Sequence, residues 1–308
     1  MRENEASIRG KVMRDLISRM TNDLSIGKKI KNGELRKQIG NTEPPWKCPD
    51  CFCMTIIEME HFTMELLESH ENPRTDKIIL QLHGGGYIGA MRNAYRMFAG
   101  LYNEVGHGMS VLTIDYRVAP EHPYPAALED AYVAYQWLLE QGWFSEQIIL
   151  AGDSAGGGLA MALCHYLKDQ GQQLPCGIVA MSPWTDLTAS GESYDTNYER
   201  DPLFGKTRDS LLYNKDYIGE NDPVNAYISP MFGDFREFPP MLIQVGSYEM
   251  LLSDSVGVAA KAREQGVKVR LSIYDGMFHI FQMAAKMLPE SKRAWVEIGK
   301  FIDVLTND

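Results

Sequence analysis

Gln147-Ile-Ile-Leu-Ala-Gly-Asp-Ser-Ala-Gly-Gly-Gly-Leu159 decides the fold, because it reads as a strand, an abrupt turn and a helix with Ser154 at the corner. Ile148, Ile149 and Leu150 form the apolar run of a strand buried on both faces, and Leu159, Leu163 and Leu167 recur at helical spacing just beyond. A corner that tight strains the serine backbone and presses strand against helix, so the flanking positions must lack bulk. Gly152 and Gly156, two residues before and two after Ser154, meet that need. The pattern G-x-S-x-G is the elbow that lifts a serine hydroxyl above the end of a sheet.

A Gly-rich turn carrying a serine also serves phosphate-binding loops, but no lysine follows these glycines. The choice is made by a second motif, Lys77-Ile-Ile-Leu-Gln-Leu-His-Gly-Gly-Gly-Tyr87, another buried-type strand running into three glycines. In acyl transfer the reacting carbonyl oxygen becomes an oxyanion, and each preorganised N–H around it contributes on the order of 3 kcal/mol. The N–H groups of Gly85, Gly86 and Ala155 are the candidates for that oxyanion hole.

His83-Gly-Gly-Gly86, Asp115-Tyr-Arg-Val-Ala-Pro-Glu121, Gly152-Asp-Ser-Ala-Gly156 and Gly276-Met-Phe-His279 together resemble the hormone-sensitive-lipase family of α/β-hydrolase esterases, from about residue 75 to the C-terminus. The resemblance implies an α/β fold with a mostly parallel central sheet flanked by helices. It also implies a helical cap, built from the N-terminus and an insertion after the sixth strand. The implied activity is that of a serine carboxylesterase hydrolysing short-chain acyl esters, acetyl to hexanoyl, through an acyl-enzyme. A lactone hydrolase or carbohydrate acetyl esterase would use the same triad. A non-catalytic small-ligand receptor shares the fold but lacks a working histidine. In the family the histidine of the glycine loop, here His83, orients that loop and is not a base.

Chain order in this fold runs nucleophile, acid, histidine. His279 fits the last place, since of the seven histidines it alone follows the loop Gly246-Ser-Tyr-Glu-Met-Leu-Leu-Ser-Asp254 where the acid belongs. The family's acid is usually an aspartate about thirty residues before the histidine. That spacing points to Glu249, which departs in residue type. Asp254 is the second choice; a first-turn or N-cap carboxylate of a helix over 255–265 explains it more simply.

The length of 308 residues, 44% of them hydrophobic and 23% charged, fits one large α/β domain with a modest accessory element. Pro44-Pro45 marks a boundary between an N-terminal cap segment, 1–45, and a catalytic domain, 46–308, whose cap insertion spans about 184–235. A formal charge of −11 disfavours nucleic acid and anionic membrane surfaces as partners. Nowhere do eighteen apolar residues run together, so stable membrane insertion is not expected, and the N-terminus reads as that of a cytoplasmic protein. The expected partner is a small-molecule ester, and self-association into a homo-oligomer is compatible with the sequence. Cys48, Cys51 and Cys53 lack a second cysteine pair and read as reduced thiols rather than a metal site; no metal or organic cofactor is required.

Residues 7–24 place Ile8, Val12, Leu16, Ile17, Met20 and Leu24 on one helical face. Its mixed polar side argues against a membrane, leaving a cap helix or one docked on the domain. Residues 52–69 suggest two antiparallel edge strands, and 280–287 the start of a helix. Asp115, Arg117 and Glu121 are expected to hold their proline-stiffened loop against the elbow.

Overall fold

The computed structural model of the chain describes residues 6–21, 43–206, 211–213 and 215–307. The described strands are β1 Phe52–Glu58, β2 Thr63–Ser69, β3 Arg74–Leu82, β4 Met109–Asp115, β5 Ile148–Asp153, β6 Gly177–Met181, β7 Met241–Gly246 and β8 Val269–Tyr274. They form one sheet in the order β1-β2-β4-β3-β5-β6-β7-β8. Only β2 runs against its neighbours; every other pairing is parallel. The expected edge hairpin is therefore half an edge: β1 is exposed, but β2 is enclosed between β1 and β4.

The central strands are buried end to end, as continuous apolar runs in a parallel sheet must be. Strand alternation then splits them between two cores. Ile78, Leu80, Ile148 and Leu150 face helices α3 (Ala126–Glu140), α4 (Ala155–Asp169) and α5 (Leu252–Glu264). Ile79, Ile149 and Val179 face α2 (Asn93–Val105) and α6 (Pro289–Asn307). Each such large side chain contributes roughly 1.5–3 kcal/mol on burial. This is the α/β fold the elbow implied.

Among the described residues between β6 and β7 the chain carries only short helical turns, such as Ser193–Thr196 and Pro230–Phe232. Trp184, Tyr194, Phe204 and Tyr217 from this stretch join the larger core, so most of its aromatic residues seal the insertion onto the domain. After β8 the expected helix over 280–287 is cut to the 3-10 turn Phe281–Ala284. Ile280 and Ala285, both at positive φ (52° and 47°), bracket that turn and stop it propagating.

At the other end of the chain, α1 (Ile8–Thr21) packs with Met13 and Ile17 on Met277, Phe278 and Phe281. Ser7 anchors its start, donating from N–H and Oγ to Glu290 (2.5 and 3.1 Å), and Thr21 donates to the Pro202 carbonyl. Ile8, Val12, Leu16 and Met20, expected on one face with Ile17, instead face solvent while Ile17 packs inward, and Leu24 lies outside the described residues. The loop after β4 is also held in part differently from expectation. Arg117 pairs with Asp130 and Glu129 on α3 (2.7 and 3.1 Å), and Asp115 accepts the Met91 N–H (2.9 Å). Arg117 therefore ties it to the flanking helix, while Asp115 Oδ1 also lies 3.8 Å from His83 Nε2 and Tyr116 donates to the His83 carbonyl (2.6 Å), which keeps the loop against the glycine loop beside the elbow.

Candidate active site

The carboxyl ends of β3, β5, β6, β7 and β8 lie side by side, and all the candidate residues leave the sheet there. β5 ends at Asp153 and α4 begins at Ala155, so Ser154 alone makes the turn, at φ 52° and ψ −121°. That backbone is costly for a non-glycine residue and persists because its surroundings fix it. Ser154 N–H donates to Met181 O (2.9 Å), and its own carbonyl accepts from Trp184 N–H (2.8 Å). A Cβ on Gly156 would strike the Leu82 and His83 carbonyls, and one on Gly152 would strike the Gly156 carbonyl. The two glycines are there because β3, β5 and α4 touch backbone to backbone.

That contact sets the glycine loop against the elbow. Gly84 N–H donates to Asp153 Oδ1 (3.1 Å), so the residue before the serine holds the loop. Gly85 and Gly86 then adopt φ of 116° and 64°, conformations that favour glycine. Ala155 opens α4, so its N–H has no carbonyl one turn back to bond. His83 is fully buried, stacked on Tyr116 at 4.1 Å, with Nδ1–H donating to Gly84 O (2.7 Å). Burial pushes its pKa down, which suits a neutral ring that shapes the loop.

His279 reaches the corner from the loop after β8. Its Nε2 lies 3.0 Å from Ser154 Oγ and its Nδ1 2.9 Å from Glu249 Oε2. Glu249 is wholly buried, and its Oε1 accepts from Ser182 Oγ (2.8 Å) and from Gly246 N–H (2.5 Å). Phe204 packs on the imidazole, centroids 4.7 Å apart, and shields it from water. Serine, histidine and carboxylate thus form one hydrogen-bonded relay, with an Nδ1–H tautomer directed by the carboxylate.

Asp254 takes no part in that relay. It sits in the first turn of α5, fully buried, and its Oδ2 accepts the Thr185 and Asp186 N–H groups (2.7 and 2.8 Å). Burial pushes it up to about 8 despite those two donors, and burial likewise pushes Asp153 up to about 7. A carboxyl group whose pKa is raised on folding binds its proton more tightly in the native state. Its contribution to stability is present below the unfolded value near 4 and is lost as pH rises through the folded value. Between pH 4 and 8, Asp254 therefore adds a downward slope of up to about 1.4 kcal/mol per pH unit. Asp254→Asn, which mimics the protonated form, is expected to flatten that slope in urea unfolding midpoints measured across this range; an unchanged slope would contradict the assignment.

A profile of the alpha/beta hydrolase fold family matches residues 79–283. An acetyl-hydrolase of Streptomyces hygroscopicus is 37% identical over 254 residues, 82% of this chain and 83% of its own. An esterase of Acinetobacter venetianus is 38% identical over 235 residues, 75% of this chain and 76% of its own. The crystal structure of an esterase from the bacterial hormone-sensitive lipase family superposes with a TM-score of 0.83 at 35% identity, across 96% of this chain and 97% of that one. The chain belongs to the hormone-sensitive-lipase family of α/β-hydrolase esterases. As a family member it is a carboxylic ester hydrolase acting on small-molecule esters.

Sequence reasoning missed four residues of this hormone-sensitive-lipase family site. Ser182 directly follows β6 at the same sheet edge as the elbow, a position that could have flagged it. Asn197, Asp201 and Phe204 lie in the insertion, where no periodic pattern marks them. Asn197 Nδ2 donates to the Glu249 and Ser247 carbonyls (2.8 and 3.1 Å), and Asp201 Oδ2 accepts the Met250 N–H (2.8 Å). Among the described residues no group of three His, Cys, Asp or Glu side chains could hold a metal, and no helix is long and apolar enough to cross a membrane. The cysteines are free thiols, with Cys51 and Cys53 exposed.

Proposed function

We propose that this esterase is a serine carboxylesterase that cleaves short-chain acyl esters through an acyl-enzyme, with Ser154 as nucleophile. The observation that carries the reading is the relay from Ser154 Oγ through His279 to Glu249, at 3.0 and 2.9 Å. In the first step His279 Nε2 takes the Ser154 proton as Oγ bonds to the ester carbonyl carbon. The carbonyl electron pair moves to oxygen, where the N–H groups of Gly85, Gly86 and Ala155 receive it. The oxyanion then collapses, the C–O bond to the alcohol breaks, and His279 gives its proton to the leaving oxygen. Water repeats both steps and frees the acid. Glu249 holds the imidazole in register throughout and stabilises its charged form.

The preference for short acyl chains is supported by bulk beside the elbow. Tyr87, directly after Gly86, stacks on Tyr217 of the insertion at 3.8 Å, and Trp184 lies 6.1 Å from Tyr87; all three rings are buried. The acetyl-hydrolase relative points the same way. Residues 1–45 and about 184–235 are assigned to the cap, an assignment supported by the bond from Thr21 of α1 to Pro202 of the insertion. Across p-nitrophenyl esters from acetate to palmitate, kcat/KM is expected to be highest from acetyl to hexanoyl. Beyond decanoyl it should fall at least about tenfold, since each CH₂ that cannot be buried forgoes about 0.8 kcal/mol. A maximum at palmitate would overturn the short-chain assignment.

A further inference from the structure

Helix α1 presents an apolar stripe to solvent: Ile8, Val12, Leu16 and Met20 recur every four residues and are 82, 62, 56 and 67% exposed. The opposite face, with Gly10, Met13 and Ile17, is the one packed on the Met277-Phe278 segment that leads into His279. The polar side that reads as mixed in the sequence is net basic where it meets solvent: Arg9, Lys11 and Arg19 flank the stripe and are exposed, with Asp15 as the one acidic residue of the helix. Arg14 is occupied on the inner side, donating to Gly276 O (3.2 Å) and lying over the Tyr248 ring at 4.5 Å. Charge is divided along the chain in the same sense. Residues 1–37 hold ten Lys and Arg against five Asp and Glu, and the remaining 271 residues hold twenty against thirty-six.

We propose that the outward face of α1 is a reversible docking surface for an anionic lipid bilayer. A helix of this kind lies in the plane of the interface, its apolar side chains among the acyl chains and its cations among the headgroups. The formal charge of −11 opposes such a surface only for the chain taken whole. At about 0.1 M salt the field of a charge fades within about 10 Å, so the residues nearest the bilayer decide the sign. Charge also selects this occupant over a second copy of the chain. Two α1 helices face to face would set Arg9, Lys11 and Arg19 against their duplicates, and a head-to-tail contact with an acidic surface would not close into a dimer. Docking would bring a lipid surface to the rim of the esterase site, because α1 touches the loop carrying His279 and bonds Pro202 in the insertion. The inference rests on the exposure of α1 and not on the triad.

The test is cosedimentation of the full chain with vesicles of equimolar phosphatidylglycerol and phosphatidylcholine, against vesicles of phosphatidylcholine alone. Binding to the anionic vesicles is expected to exceed the neutral background by about tenfold or more, and to fall by a similar factor between about 0.1 and 1 M salt. A variant carrying Ile8→Gln, Val12→Gln, Leu16→Gln and Met20→Gln, and a second carrying Arg9→Gln, Lys11→Gln and Arg19→Gln, should each lose on the order of tenfold in binding. Their p-nitrophenyl acetate rates should stay within about twofold of the parent, since these side chains point away from the domain. The proposal is overturned if the parent stays in the supernatant, or if both variants sediment as it does. It is also overturned if the parent forms a concentration-dependent dimer that the four-glutamine variant abolishes, which would assign the stripe to a second copy.

Discussion

Ser154→Ala is expected to lower kcat/KM for p-nitrophenyl butyrate by about 10⁵- to 10⁶-fold, because the nucleophile and the base work as a unit and loss of either removes nearly all of their joint contribution. The backbone of residue 154 is fixed by the Met181, Gly158 and Trp184 bonds, none of which uses the hydroxyl. Alanine should therefore leave the elbow and the glycine loop standing. The rate that survives reports the remaining cradle of amides, worth about 10³- to 10⁴-fold over water. In stopped flow the parent enzyme should release a burst of p-nitrophenol as the acyl-enzyme fills, and the variant none. A variant within tenfold of the parent would place the nucleophile elsewhere.

Glu249→Gln should cost about 10³- to 10⁴-fold in kcat, whereas Asp254→Asn should cost less than about tenfold. The argument is one of donors and acceptors. Ser182 Oγ and Gly246 N–H both donate to Oε1, so a glutamine keeps its carbonyl oxygen there and turns its NH₂ toward His279 Nδ1. The imidazole must then accept at Nδ1 and carry its proton on Nε2, facing a serine hydroxyl it can no longer deprotonate. Asparagine at 254 keeps an oxygen for the Thr185 and Asp186 N–H groups and touches neither His279 nor Ser154. If Asp254→Asn collapses the rate and Glu249→Gln spares it, the acid has been misassigned.

The elbow and the glycine loop were legible because each couples a buried-strand pattern to glycines that only a close backbone approach explains. Chain order and a thirty-residue spacing brought Glu249 and His279 to the same corner as Ser154, even though glutamate is the less usual acid. Other features were hidden for specific reasons. Periodicity on α1 tells which side chains share a face, but not whether that face meets the domain or the solvent. Ile17, assigned with Ile8 and Leu16, turned inward while they turned out. Arg117 was expected to hold its loop against the elbow, yet its partner Asp130 lies a turn into the next helix. Positive φ at Ile280 and Ala285 left no mark in a sequence that otherwise favours a helix. Asn197 and Asp201 act through main-chain groups of the acid loop, and contacts of that kind impose no pattern on the partner's side chains.

The early part of the insertion is stitched to the loop bearing Glu249: Asp254 to Thr185 and Asp186, Ser193 to Ser253, Asn197 to Glu249, Asp201 to Met250. Residues 185–201 therefore belong mechanically to the carboxylate they surround, as ballast for its position and the fixed root of the proposed cap. Any exchange of segments between relatives meant to swap ester preference has its natural seam after Gly205. Cutting at Ser182 would transplant the knots without the loop they were tied to.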